Sequence, residues 1–175
     1  DKVILLGDEV DSHALSRYTT DPDGHGASRE HELALNNLQV WYETFPEAMI
    51  CTSNHTNRLY KKAYDAGIPR GFLKEYAEFL EAPKGWSWHD RIVHEGVVYE
   101  HGEGVSGIYG HRNAAIGNRM STVIGHLHSH AAVQYIHSFK EYIFGMNVGC
   151  LIDNEAYAFA YGRTARYKPA IGVGL

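Results

Sequence analysis

The sequence is poor in the features that would place it in several large classes. Two cysteines in 175 residues, Cys51 and Cys150, are too few for a disulfide-stapled scaffold, and their separation is no zinc-binding pattern. Each follows an apolar, strand-like run. Both therefore read as buried free thiols of a reducing compartment, with a disulfide left open, and a cytoplasmic setting is expected. No apolar run approaches the length of a membrane span, and no secretory signal pattern opens the sequence. There is no excess of basic charge. Sixteen Lys and Arg stand against 21 Asp and Glu, a net charge of -5, so duplex nucleic acid is not a favoured partner. Internal repeats, linkers and low-complexity stretches are also missing. What remains is a hydrophobic content of 44%, ordinary for a globular chain and enough for one domain over residues 1–175.

Histidine, by contrast, is abundant. The chain has 12, which makes any single one less informative and shifts weight to their positions. Position is set by the pattern of elements. The run Val3-Ile4-Leu5-Leu6 is too short for a helix and reads as a strand buried on both faces, ending at Gly7-Asp8. Residues 12–27 are polar and rich in Gly, Asp and His, which predicts a loop beside the strand end. Ser28 is the expected N-cap of an amphipathic helix whose apolar stripe is Ala34, Leu38, Trp41, Tyr42 and Phe45, stopped by Pro46. A second buried strand over 48–52 ends in Ser53-Asn54-His55. A helix over 57–66, closed by Gly67, follows. Pro69 then opens another helix, in which Phe72, Tyr76, Phe79 and Leu80 share a face.

From Trp86 the pattern changes to strands. Trp86 and Trp88 alternate, which predicts packing. A hairpin turns at Glu95-Gly96, and its second strand runs into Glu100-His101-Gly102. A short helix is expected over 113–119 and a strand over 122–124. Paired strands over 131–136 and 141–146 come next, and a last hairpin turns around Asp153-Asn154. The order predicts an α/β chain with its site at the strand ends.

Those ends carry Asp8, Asn54, His55, His101, His126 and His128. In Gly125-His126-Leu127-His128, extended backbone would direct residues i and i+2 to one side and offer two imidazoles to one place. Carboxylate, carboxamide oxygen and imidazole together suit a borderline divalent ion, such as Mn²⁺, Fe²⁺, Zn²⁺ or Ni²⁺. No thiolate joins them, so a structural zinc site is not expected. Six such residues can arise separately in a histidine-rich chain. That every one follows an apolar run argues for a set.

The blocks Gly7-Asp8-Glu9-Val10-Asp11, Asn54-His55, His101-Gly102 and Gly125-His126-Leu127-His128 are similar, in kind and in order, to those of the calcineurin-like metallophosphoesterase family. The resemblance runs from the first residues to about Ile152. It implies a four-layer α/β/β/α sandwich and a site for two divalent ions, with Mn²⁺ favoured. Asp8 resembles the carboxylate that bridges both ions. Asn54, His101 and His126 resemble the remaining ligands of the second ion, and His128 a ligand of the first. His55 resembles the histidine that stabilises or protonates the leaving group beside the scissile phosphate. The implied activity is hydrolysis of a phosphodiester or phosphomonoester, nucleotide and nucleic-acid esters included.

Two departures qualify the resemblance. Ser53 stands where the family usually has Gly. The family's first block, a strand ending in D-x-H that supplies two more ligands of the first ion, has no counterpart before Asp8. Asp11-Ser12-His13 has the letters but follows the Asp8 strand. The resemblance thus predicts an N-terminally incomplete domain. The alternatives are a single-metal protein, with Asp11 or His13 improvising, and a non-catalytic scaffold that keeps the fold. Retention of all six strand-end residues argues against a scaffold.

Other polar residues have plain readings beside the functional ones. Asp11 is expected to hydrogen-bond the site loop. Arg58, close after His55, is the candidate for a phosphate contact, and a solvated helix face explains it about as well. His130 continues the alternation after His128 or is exposed filler. Arg163, Arg166 and Lys168 read as a solvated basic tail.

Overall fold

The computed structural model describes residues 2–20, 22–153 and 166–175. The chain is mixed α/β, with four α-helices and two open sheets among the described residues. Backbone contacts divide it into two compact units, residues 1–90 and 91–175. No described helix is long and apolar enough to cross a membrane.

The first unit holds a parallel three-stranded sheet in the order β1-β2-β3, from β1 (Ile4–Leu5), β2 (Ala48–Cys51) and β3 (Trp86–His89). Leu5 lies opposite Ile50, and Cys51 opposite His89. Parallel neighbours need long crossovers, and helices supply them. The first is α1 (Ala27–Thr44). It turns Leu38 and Tyr42 into a core shared with Val10, Ala48, Ile50, Leu80 and Trp86. Tyr42 meets Trp86 edge to face at 4.7 Å and donates its hydroxyl to the Leu80 carbonyl at 2.8 Å. The Trp86 indole donates to the Phe45 carbonyl, also at 2.8 Å, so both polar tips are paired inside the core.

Of the three helices here, two depart from expectation. The N-cap of α1 is Gly26, whose carbonyl accepts the Arg29 and Glu30 amides, and Ser28 lies inside the first turn. The helix α2 (Arg58–Asp65) starts and ends within a residue of its expected limits. The helix expected from Pro69 is broken. A 3-10 turn over Arg70–Phe72 gives way to extended backbone at Leu73, and α3 is only Tyr76–Phe79. Phe72 is 82% exposed and shares no buried face with Tyr76, so helical spacing was overridden by the break at Leu73.

The second unit holds a mixed five-stranded sheet in the order β4-β5-β6-β8-β7. The hairpin pairs β4 (Ile92–His94) with β5 (Val97–Tyr99) through Glu95 and Gly96, both at positive φ. The crossover helix α4 (Gly110–Asn118) starts three residues before its expected limit and leads to β6 (Ser121–Ile124), parallel to β5. The antiparallel pair β7 (Ala132–His137) and β8 (Tyr142–Asn147) completes the sheet, with β8 parallel to β6. Ile92, Val98, Ala114, Ala115, Val123, Ile124 and Ile143 are its buried apolar residues. Cys150 bridges to Ile171. Most of the hairpin expected after it, and Arg163, lie outside the described residues.

Candidate functional site

In the first unit the site grows out of strand register. With Leu5 opposite Ile50, the same parallel offset three residues on brings Asp8 beside Ser53. The Asp8 amide donates to Ser53 Oγ at 3.0 Å. The chain leaves β1 through left-handed backbone at Gly7 (φ 87) and Asp8 (φ 60). Glycine takes that conformation freely, and aspartate is among the few side chains that tolerate it. The turn aims consecutive residues at different partners. Glu9 goes inward, where Trp88 Nε1 donates to one carboxylate oxygen at 2.8 Å and Thr56 Oγ1 to the other at 3.0 Å. Burial pushes the Glu9 carboxyl up, against the pull of those two hydrogen bonds.

Asp11 takes the opposite course and meets the loop after β2. His55 Nδ1 lies 2.8 Å from Asp11 Oδ1, and Arg58 NH1 lies 2.7 Å from the same atom. Arg58 NH1 also donates to the Asp11 carbonyl at 2.6 Å. Arg58 NH2 stands 3.2 Å from His55 Nε2. Guanidinium only donates, so Nε2 accepts and the ring hydrogen sits on Nδ1, aimed at Asp11. Burial would raise the Asp11 carboxyl, but His55, Arg58 and His13 outweigh it and hold it below the usual carboxylate range. The Arg58 side chain is 11% exposed and engaged, so it is built into the cluster and is not a solvated helix face. Asn54 lies in the same turn, between Ser53 and His55.

In the second unit register again does the positioning. Tyr99 lies opposite Val123, so His101 and Gly125 leave the sheet at one level. The amides of Gly125 and His126 both donate to the His101 carbonyl, at 3.1 and 2.9 Å. The rings meet edge to face with centroids 4.8 Å apart, and His101 Nε2 lies 2.9 Å from His126 Nδ1. Gly102 follows at φ +99, and a Cβ there would sit 3.0 Å from Ile124 Cβ, so this turn admits no side chain without strain. His101 is buried.

The strand alternation expected to bring His126 and His128 to one side is not present. The strand ends at Ile124, residues 125–127 are irregular, and His128 begins a turn. His126 meets the imidazole of His101. His130 is half-buried, and its ring lies 5.7 Å from that of His111.

Two nitrogens bound at ~2.1 Å to one octahedral or tetrahedral ion are themselves about 3.0–3.4 Å apart. The 2.9 Å His101–His126 pair is close to that separation, and neutral imidazoles fit the borderline ions named above. Among the described residues no group of three or more His, Cys, Asp or Glu side chains is placed to hold a metal ion.

Sequence reasoning missed Glu9, Thr56 and the use made of Ser53. The available signal was a second acidic residue directly after Asp8, at a strand end where a carboxylate is buried only with partners. No family model matches this chain, no characterised protein matches it in sequence, and no solved structure matches it.

Proposed function

We propose that this chain is a metal-dependent phosphoester hydrolase of the calcineurin-like type, with the four-layer α/β/β/α arrangement of that family. The observation that carries the reading is the Asp11–His55–Arg58 cluster at the strand ends that also bear Asp8 and Asn54. By the family resemblance Asp8 and Asn54 of the first unit, and His101, His126 and His128 of the second, would be the ligands of divalent ions, with Mn²⁺ favoured. Such ions, when bound, activate water and neutralise phosphoryl charge.

The chain's own residues have separate tasks. Asp11 fixes the orientation of the His55 ring through Nδ1, as a carboxylate does for the histidine of a catalytic triad. Once Arg58 turns from Nε2 to the substrate, Nε2 takes up a proton from solvent, and His55 passes that proton to the leaving oxygen. Arg58 holds both partners and lies where its second nitrogen can exchange His55 for a phosphoryl oxygen. The pairing of His101 with His126 supports their assignment to one ion. The substrate is a phosphodiester or phosphomonoester, and with a net charge of -5 long duplex nucleic acid is not favoured. Cys51 and Cys150 are both free thiols, which supports a cytoplasmic setting.

The test is metal content per chain after Mn²⁺ reconstitution, read beside hydrolysis of a chromogenic phosphodiester. Two ions with turnover support the full reading. One ion favours the single-metal alternative that the missing D-x-H block raises. No metal and no turnover would leave a non-catalytic scaffold and overturn the proposal.

A further inference from the structure

We propose that Glu9 is a positioning residue, whose carboxylate works through Thr56 and Ser53 to fix the two loops that carry Asp8, Asn54 and His55. The hydrogen bonds have one consistent direction. Ser53 Oγ accepts the amide of Asp8 at 3.0 Å and that of Thr56 at 3.2 Å, which occupies both of its lone pairs. Its own hydrogen is left for Thr56 Oγ1, 2.9 Å away. Thr56 must then pass its hydroxyl hydrogen onward, and Glu9 Oε2 receives it at 3.0 Å. Glu9 Oε1 is taken by Trp88 Nε1, a donor only. The chain of donors therefore has to end on a group that accepts at both atoms. A carboxylate does so, and a carboxamide, with one oxygen and one NH₂, does not.

The placement gives this chain its purpose. Glu9 follows β1, Thr56 follows β2 and Trp88 belongs to β3, so one carboxylate ties the ends of all three parallel strands. Ser53 and Thr56 are each 1% exposed, where an unmade hydrogen bond is expensive and the network is not diluted by water. Asp8 sits in left-handed backbone at φ 60, a conformation that persists when surrounding contacts over-determine it. Ser53 supplies that contact, which glycine at this position could not. The departure from the family pattern at Ser53 is on this view the first link of a device that belongs to this chain. The inference rests on the reading of Asp8 and Asn54 as metal ligands.

The experiment uses the full chain with Thr56→Val, Glu9→Gln and the rescue variant Thr56→Ser. Mn²⁺ affinity is measured by calorimetry, and exchange of the Asp8 and Ile50 amides by NMR. Groups that orient metal ligands typically change affinity by about 10–100-fold when removed, and that loss is expected for Thr56→Val and Glu9→Gln. The Asp8 amide should exchange faster in both while Ile50 stays protected, and Thr56→Ser should restore both readouts. A purely structural role would lower the unfolding temperature and leave the Mn²⁺ affinity of the folded chain unchanged, which overturns the inference. If Thr56→Val does not fold, Ser53→Ala gives the same readouts. If the wild-type chain takes up no Mn²⁺, the metal reading falls. The positioning role is then decided by the Asp8 amide alone, where faster exchange upholds it and unchanged exchange overturns it.

Discussion

Replacing Asp11 with asparagine isolates the charge that His55 is proposed to use. The substitution keeps the shape of the side chain and removes its negative charge. In the wild type Asp11 Oδ1 faces His55 Nδ1 at 2.8 Å and Arg58 NH1 at 2.7 Å. Two unit charges at ~3 Å attract by about 1.5–5 kcal/mol as the effective dielectric falls from ~80 to ~20. The Asp11 side chain is 45% exposed, so solvent screening places the pair at the low end of that range, at about 1.5 kcal/mol. At ~1.4 kcal/mol per decade it corresponds to roughly a 10-fold loss of kcat. Asparagine also offers an NH₂ that cannot accept from Nδ1, so one rotamer forces the wrong tautomer. The assay is steady-state hydrolysis of a chromogenic phosphodiester with saturating Mn²⁺, beside calorimetric Mn²⁺ binding. The expected result is a large fall in kcat with metal affinity retained. Turnover within about threefold of wild type, less than ~0.7 kcal/mol, would refute the role given to Asp11.

Further outcomes test separate parts of the account. His55→Asn should keep its Mn²⁺ and lose turnover, and normal turnover would remove His55 from the chemistry. His126→Ala takes away the partner of His101 and should lose the ion assigned to that pair, which metal analysis after desalting reads directly. Gly145→Ala would put a Cβ 2.2 Å from the His111 carbonyl oxygen, so α4 must shift from β8. Destabilisation of about 3 kcal/mol, the upper end of ordinary overpacking, is expected in urea unfolding. Tyr42→Phe loses the hydrogen bond to Leu80 and about 1 kcal/mol at neutral pH. Burial, then the charges of Glu9 and Glu81, push the Tyr42 phenol up from 10.0 to about 12, so its contribution is complete below pH 10.0 and drains away as pH rises towards 12. Wild-type and variant stabilities should meet and then cross within that interval, because about 1.4 kcal/mol per pH unit exceeds the hydrogen bond's ~1 kcal/mol.

Strands were legible where a short apolar run stopped at polar residues, fully at 48–52 and only in part at 3–6, where the strand is Ile4–Leu5 and half-buried, because a buried parallel strand has few other ways to be written. The start of α1 was not, because its cap is the carbonyl of Gly26, which carries no side-chain signature. The helix expected from Pro69 failed for a different reason. Phe72, Tyr76, Phe79 and Leu80 have helical spacing, but spacing records only that a face exists and not that the backbone reaches it without a break. The contact between His126 and His101 was illegible on similar grounds. Alternation holds in extended backbone, and β6 ends before His126.

Strand ends select candidates, whereas register selects partners. His101 and His126 are 25 positions apart, and they meet because β5 and β6 run parallel with Tyr99 opposite Val123. Asp8 and Ser53 meet for the same reason on β1 and β2. Two-residue strands such as β1 leave no pattern from which that offset could be counted in advance. Residue chemistry could therefore nominate Asp8, Asn54, His55, His101, His126 and His128 without showing what holds each in place. Asp11 and Glu9 show the limit most clearly. They lie two residues apart with the same charge, yet one is held below the carboxylate range by His55 and Arg58 and the other is pushed above it by burial. The left-handed turn at Gly7 and Asp8 makes that division, sending one carboxylate to the histidine and the other to the Trp88 indole. A site in which neighbouring acids do opposite work depends on backbone conformation as much as on residue type, and conformation of that kind is fixed only once the strands have paired.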